Sequence, residues 1–131
     1  MSTFPDLPIA PPAEYLAYVR LFNSGDYFEA HEVLEDLWVV EPGPLRTYYK
    51  GLIMMAVAIL HWQRGNPNGA RKLHRDARAY LAPYAPACEG LDVGDFLARL
   101  DRLFAPLQEW SPGHPVPPID GTHIPHLELR G

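Results

Sequence analysis

Four side chains within eight residues are of types that do chemistry: His31, Glu32, Glu35 and Trp38, in the stretch Ala30-His31-Glu32-Val33-Leu34-Glu35-Asp36-Leu37-Trp38. An imidazole can bind a metal ion or move a proton near neutral pH, and a neighbouring carboxylate can assist in either task. At about 100° per residue, His31, Glu35 and Trp38 fall at i, i+4 and i+7, so they share one helical stripe with Leu34 beside them. Tyr27, Ala30, Val33, Leu34 and Leu37 make the core stripe, which places His31 and Glu35 at its border and Glu32 nearer solvent.

A second histidine, His61, stands near the end of a hydrophobic helix and shares a face with Lys50, Met54 and Val57. If the two helices pack antiparallel, as their short connection favours, His61 comes level with the start of the helix that carries His31. His31, Glu35 and His61 then form a ligand set for a divalent ion such as zinc, iron or manganese, with Glu32 as general base of a metal-dependent hydrolase. The competing reading is a buried polar clamp, a histidine hydrogen-bonded to a glutamate inside a helical bundle. The pattern is H-E-x-x-E, so Glu35 stands where the second histidine of a zinc protease would be, and the paired E-x-x-H of di-iron bundles does not occur.

The elements that must position these residues are written by proline, glycine and capping residues. Pro11-Pro12 precedes a helix ending at Asn23-Ser24-Gly25, and Asp26 with Glu29 reads as a capping box opening a second helix from Tyr27 to about Val40. Glu41-Pro42-Gly43-Pro44 breaks it. A third helix from Leu45 to about Arg64 contains the all-round apolar run Gly51–Leu60, which is far shorter than the roughly 20 residues needed to cross a bilayer and so reads as the central helix. Asn66 as cap and Pro67 in the first turn open a fourth helix that runs to about Leu81, and Asp92 caps a fifth through Phe96, Leu97, Leu100, Leu103 and Phe104.

Gly25-Asp26-Tyr27-Phe28-Glu29-Ala30 is echoed by Gly65-Asn66-Pro67-Asn68-Gly69-Ala70 forty residues on. In each, the glycine makes a tight turn and the alanine lets two helices approach, as in the turns of tetratricopeptide repeats. The expected fold is therefore all-α, a single bundle of about five helices built from two helical hairpins around a buried central helix. The stretch from Ser111 to Gly131, with five prolines and two interior glycines, reads as an extended arm, giving a bundle domain over 1–110 and an arm over 111–131. His114, His123 and His126 on that arm read as solvated.

With 131 residues and 47% hydrophobic content the chain suits one domain with a sizeable core. A net charge of −5 argues against a nucleic-acid partner, and the basic run Arg71, Lys72, Arg75 and Arg78 reads as a solvated helix face. One cysteine, Cys88, cannot form an internal disulfide, and the first residues lack the pattern of a secretion signal, so a cytoplasmic location is expected without a membrane span.

The phrases FNSGDYFEAHEVLEDLW and KGLIMMAVAILHWQRGNPNGARKL resemble a small all-helical family known as domain of unknown function 309. The resemblance covers about Tyr15 to Leu81 and implies a bundle of about five helices; it implies no established activity. Its polar positions fall on Asn23, Glu29, His31, Glu32, Glu35, Trp38, Gly51, His61, Asn66 and Gly69, while Lys50 and Met54 stand where the family has glutamines. The expected function is a binding or scaffold module for a protein or small-molecule ligand, with Trp38, Lys50, Asn66 and Asn23 as binding residues and the His/Glu cluster as its polar clamp. The alternative is the metal-dependent hydrolase, and a homodimer is open to either.

Overall fold

The computed structural model describes residues 11–130. Five α-helices follow one another along the chain: α1 (Ala13–Asn23), α2 (Tyr27–Val40), α3 (Leu45–Gln63), α4 (Pro67–Leu81) and α5 (Val93–Glu109). Among them α3 is the centre, burying Tyr48, Tyr49, Leu52, Ile53, Met55, Ala56, Ala58, Ile59 and Trp62 around more than half of its circumference, while Arg46, Lys50, Met54, Val57 and His61 line a less buried strip. Its contacts with α4 and α2 are the most extensive among the described residues, so the apolar run Gly51–Leu60 has become the shared wall of both hairpins. Where α3 crosses α4, a Cβ on Gly51 would lie 2.7 Å from the Leu81 side chain, so any larger residue there would have to push Leu81 aside. None of the helices described is long and apolar enough to cross a membrane.

The repeat at an offset of forty is structural. Gly25 and Gly65 both have left-handed φ, +82° and +78°. The amides of Gly25 and Asp26 bond to the carbonyls of Phe22 and Leu21, and those of Gly65 and Asn66 bond to Trp62 and His61. Each hairpin thus turns through the same glycine-terminated cap, which satisfies the last carbonyls of the first helix. Ala30 and Ala70 follow at 0% exposure, where their small size admits the neighbouring helix.

The two caps differ in one respect. Asn66 accepts a hydrogen bond from the Gly69 amide at 3.1 Å, whereas Asp26 occupies the equivalent position with no side-chain cap bond. The capping box expected from Asp26 and Glu29 is therefore not formed, and the backbone turn alone sets the start of α2. On α5, Asp92 caps as expected, its carboxylate accepting from the Asp95 amide at 2.9 Å.

Between α4 and α5 lies a small antiparallel hairpin, β1 (Ala87–Cys88) and β2 (Leu91–Asp92), which helical periodicity gives no means of expecting. Tyr15 and Tyr48 anchor it from α1 and α3, donating to the Glu89 and Cys88 carbonyls at 2.9 and 3.2 Å. After Glu109, the described residues hold a single 3-10 turn (Gly121–His123) and an isolated bridge between Leu129 and Leu91.

Candidate functional site

Helix α2 presents its motif against the two ends of α3. Near its start the Arg64 guanidinium lies 5.6 Å from the Phe28 ring centre, and near its end Arg46 and Lys50 lie 4.3 and 4.6 Å from the centre of Trp38. Arg46 also donates to the Trp38 carbonyl at 2.7 Å. These contacts fix the antiparallel register inferred from the short connection, since the end of one helix meets the start of the other at both places.

Within that frame His31 Nε2 lies 3.6 Å from Glu35 Oε1, and its ring meets the Phe28 ring edge-on at 5.0 Å. The side chain of His31 is 17% exposed and that of Glu35 50%. His31 Nδ1 is buried without a hydrogen-bond partner. Glu32 is exposed. His61 turns to its own helix end, where the Asn66 amide donates to its Nδ1 at 3.2 Å. The motif therefore resolves into two pairs, His31 with Glu35 and His61 with Asn66. Among the described residues no three His, Cys, Asp or Glu side chains gather as a set that could hold a metal ion, so the three-ligand centre of His31, Glu35 and His61 is not assembled.

Asn23 and Asn66 spend their side chains within the chain. Asn66 caps α4, as above. Asn23 donates to the Leu127 carbonyl at 2.9 Å and accepts from the Leu127 amide at 2.7 Å, reading both backbone groups of one residue. Trp38 and Lys50 remain on the α2–α3 surface, half-buried and in contact with each other.

Two polar centres lie outside the motif. His74 on α4 is 5% exposed and stacks on Phe104 of α5, ring centres 4.3 Å apart and planes 3° from parallel. The Gln108 amide donates to its Nδ1 at 2.9 Å, which leaves the ring proton on Nε2; that nitrogen lies 3.2 Å from Asp101 Oδ1 but is buried without a well-directed hydrogen bond. Asp101 in turn binds Arg78 at 2.8 Å. Burial holds the His74 pKa below the ordinary imidazole value, with Asp101 pulling the other way. One hydrogen bond, one ring stack and one close carboxylate contact thus join the two helices at His74. Its sequence signal was the spacing Ala70, His74, Ala77, Leu81, a core stripe in which the histidine holds a buried position.

The second centre is the β1–β2 turn. Glu89 has φ +50°, is 5% exposed, and its Oε2 is buried without a partner. Burial and then the Glu41 carboxylate push its pKa up. Beside it the Cys88 thiol is pushed up to about 12 by burial first and by Glu89 second, which disfavours the thiolate. Tyr15, Tyr18 and Tyr48 are likewise held as phenols by burial.

The residues of α1, of the α2–α3 face and of the second turn coincide with a known family model: residues 15–73 match the model described as Domain of unknown function (DUF309). Over this stretch the chain is similar to that family. Two curated relatives align beyond it. "Uncharacterized protein YpuF" of Bacillus subtilis (strain 168) is 35% identical over 104 residues, covering 76% of this chain and 60% of that protein. An "Uncharacterized protein" of Aquifex aeolicus (strain VF5) is 28% identical over 108 residues, covering 81% of this chain and 32% of its own length. The chain thus spans less than two thirds of the first relative and about a third of the second. In DUF309 terms the motif face is the α2–α3 surface, and the His74 clamp lies one residue past the matched region.

Proposed function

We propose that this chain is a binding module whose α2–α3 face receives an acidic group of a protein or small-molecule partner. The observation that supports this reading is the pairing of Arg46 and Lys50 over one indole, 4.3 and 4.6 Å from the Trp38 centre, with no carboxylate of the described residues within ion-pair distance of either. Two cations gathered on one ring repel each other, and the aromatic face offsets that cost only in part. An incoming carboxylate or phosphate would bridge them and remove the repulsion, with the half-buried Trp38 supplying apolar contact. His31 and Glu35 shape the adjacent surface and take no part as metal ligands in this reading.

The test is a titration of the protein with inorganic phosphate and, separately, with a short Asp/Glu peptide, followed by the Trp38 indole and the backbone amides of Arg46 and Lys50 in NMR. Saturable shifts confined to this face, weakened by salt and lost in Arg46→Ala and Lys50→Ala, support the reading. Absence of saturation by either probe, or shifts that survive both substitutions, rejects it.

A further inference from the structure

The segment after α5 crosses the two hairpin turns in succession, and both turns hold it by its backbone. At the second turn the Trp62 indole donates to the Pro117 carbonyl at 2.8 Å, and Trp62, Gln63 and Gly65 with Val116–Ile119 line an open cavity of about 370 Å³. At the first turn Asn23 makes its two bonds to Leu127, and Phe22, Asn23, Gly25 and Tyr27 with Gly121 and Ile124–His126 line another of about 250 Å³. Phe22-Asn23-Ser24-Gly25 and Trp62-Gln63-Arg64-Gly65 are equivalent in the repeat, so the same aromatic-plus-glycine surface is offered twice.

An indole donor on a proline-rich strand and an amide side chain spanning one residue's N–H and C=O are devices of peptide recognition. They read an extended backbone, and apolar pockets read its side chains. We infer that the paired turns form a peptide-binding surface, occupied in cis by residues 116–127, that takes an extended proline-bearing peptide from another polypeptide when the segment lifts off. The cis occupant shows the chemistry of that partner: a proline residue whose carbonyl meets Trp62, and an apolar residue about ten positions on at the place of Leu127.

The segment is built to be displaced. Of residues 111–130 only Pro125 and Leu127 are buried. Its further ties to the body include the Arg130 amide on the Gly90 carbonyl, the bridge of Leu129 to Leu91, the Trp110 indole on the His114 carbonyl at 2.8 Å, and partly buried Ile119, Ile124 and Leu129 against the core. Gly113, at φ +95°, sits between Pro112 and Pro115 at its root, where Arg71 holds the Trp110 carbonyl at 2.6 Å as a fixed point of departure. Tethering gives the cis segment a high effective concentration, so a free peptide competes only when the segment's own hold is weakened.

The experiment uses the full chain and a fluorescent peptide of residues 114–130, read by polarisation. Leu127→Asp in the protein weakens the cis segment and leaves the turns intact; the labelled peptide keeps its leucine. Peptide binding about tenfold or more tighter to Leu127→Asp than to the parent chain is expected, and loss of that gain on adding Asn23→Asp, which removes the donor to the Leu127 carbonyl. Trp62→Phe, which removes only the indole donor at the other turn, gives an independent second readout if circular dichroism shows that Asn23→Asp has disturbed the fold. A folded Leu127→Asp protein that takes no peptide, equal binding of a scrambled peptide, or binding indifferent to both turn substitutions overturns the inference.

Discussion

His31 and His74 sit on the second helices of their hairpins and face opposite fates. His74 is enclosed and stacked on Phe104, with Gln108 hydrogen-bonded to Nδ1 and the Asp101 carboxylate 3.2 Å from Nε2, close but not directed as a hydrogen bond. His31 has Glu35 at 3.6 Å on one side and a buried nitrogen without a partner on the other. A buried polar group held by several contacts to another element fixes the packing of the elements it joins, whereas one held by a single long pair on its own helix does little to fix packing. The difference teaches where this bundle spends polarity on architecture, at the α4–α5 seam, and where it leaves polarity open, on the α2–α3 face.

The sharpest way to break the contrast is to remove each ring. His74→Ala takes away the stack and leaves Gln108 and Asp101 without their partner, and should cost about 2–3 kcal/mol in urea unfolding. Next in size is pH. Burial lowers the His74 pKa in the folded state, so the unfolded chain binds the extra proton first as pH falls. Stability from this group is complete above about pH 6.5 and is lost progressively below it. Asp101→Asn removes the carboxylate that opposes the shift and should steepen that loss, measured as urea midpoints from pH 7.5 to pH 5.

Glu89 extends the contrast to a group with an unmet oxygen. Its pKa is raised by burial and by Glu41, so the unfolded chain ionises first and stability falls as pH rises through that window. Glu89→Gln, keeping the shape and the backbone bonds to Tyr15, should gain about 1 kcal/mol at pH 7. His31→Ala should cost less than about 1 kcal/mol, since only an edge contact and one long pair are lost; a loss equal to that of His74→Ala would erase the distinction. Smallest of all, Lys50→Ala should leave stability within about 0.5 kcal/mol while abolishing phosphate-induced shifts at Trp38.

What could be read from the residues follows from which forces are local. Helix periodicity, the glycine turns and the apolar run Gly51–Leu60 specify the five helices and the central place of α3, because each acts within a few residues. The pairing of His61 with Asn66 in place of His31 could not be read, since it turns on which way a side chain points at a helix end. Nor could the clamp at His74: its position on a core stripe was visible, but its partners Asp101 and Gln108 are 27 and 34 residues away. Asn23 reads as a binding residue in the sequence, and in the structure its side chain bonds both backbone groups of Leu127 of the same chain.

The glycine turns at residues 25 and 65 have the same backbone hydrogen bonds, yet one cap residue bonds its helix and the other does not. Each molecule therefore carries an internal control. Asp26→Asn and Asn66→Asp exchange the cap chemistry between two otherwise matched settings, so that the contribution of a capping side chain can be separated from that of the turn beneath it within one polypeptide.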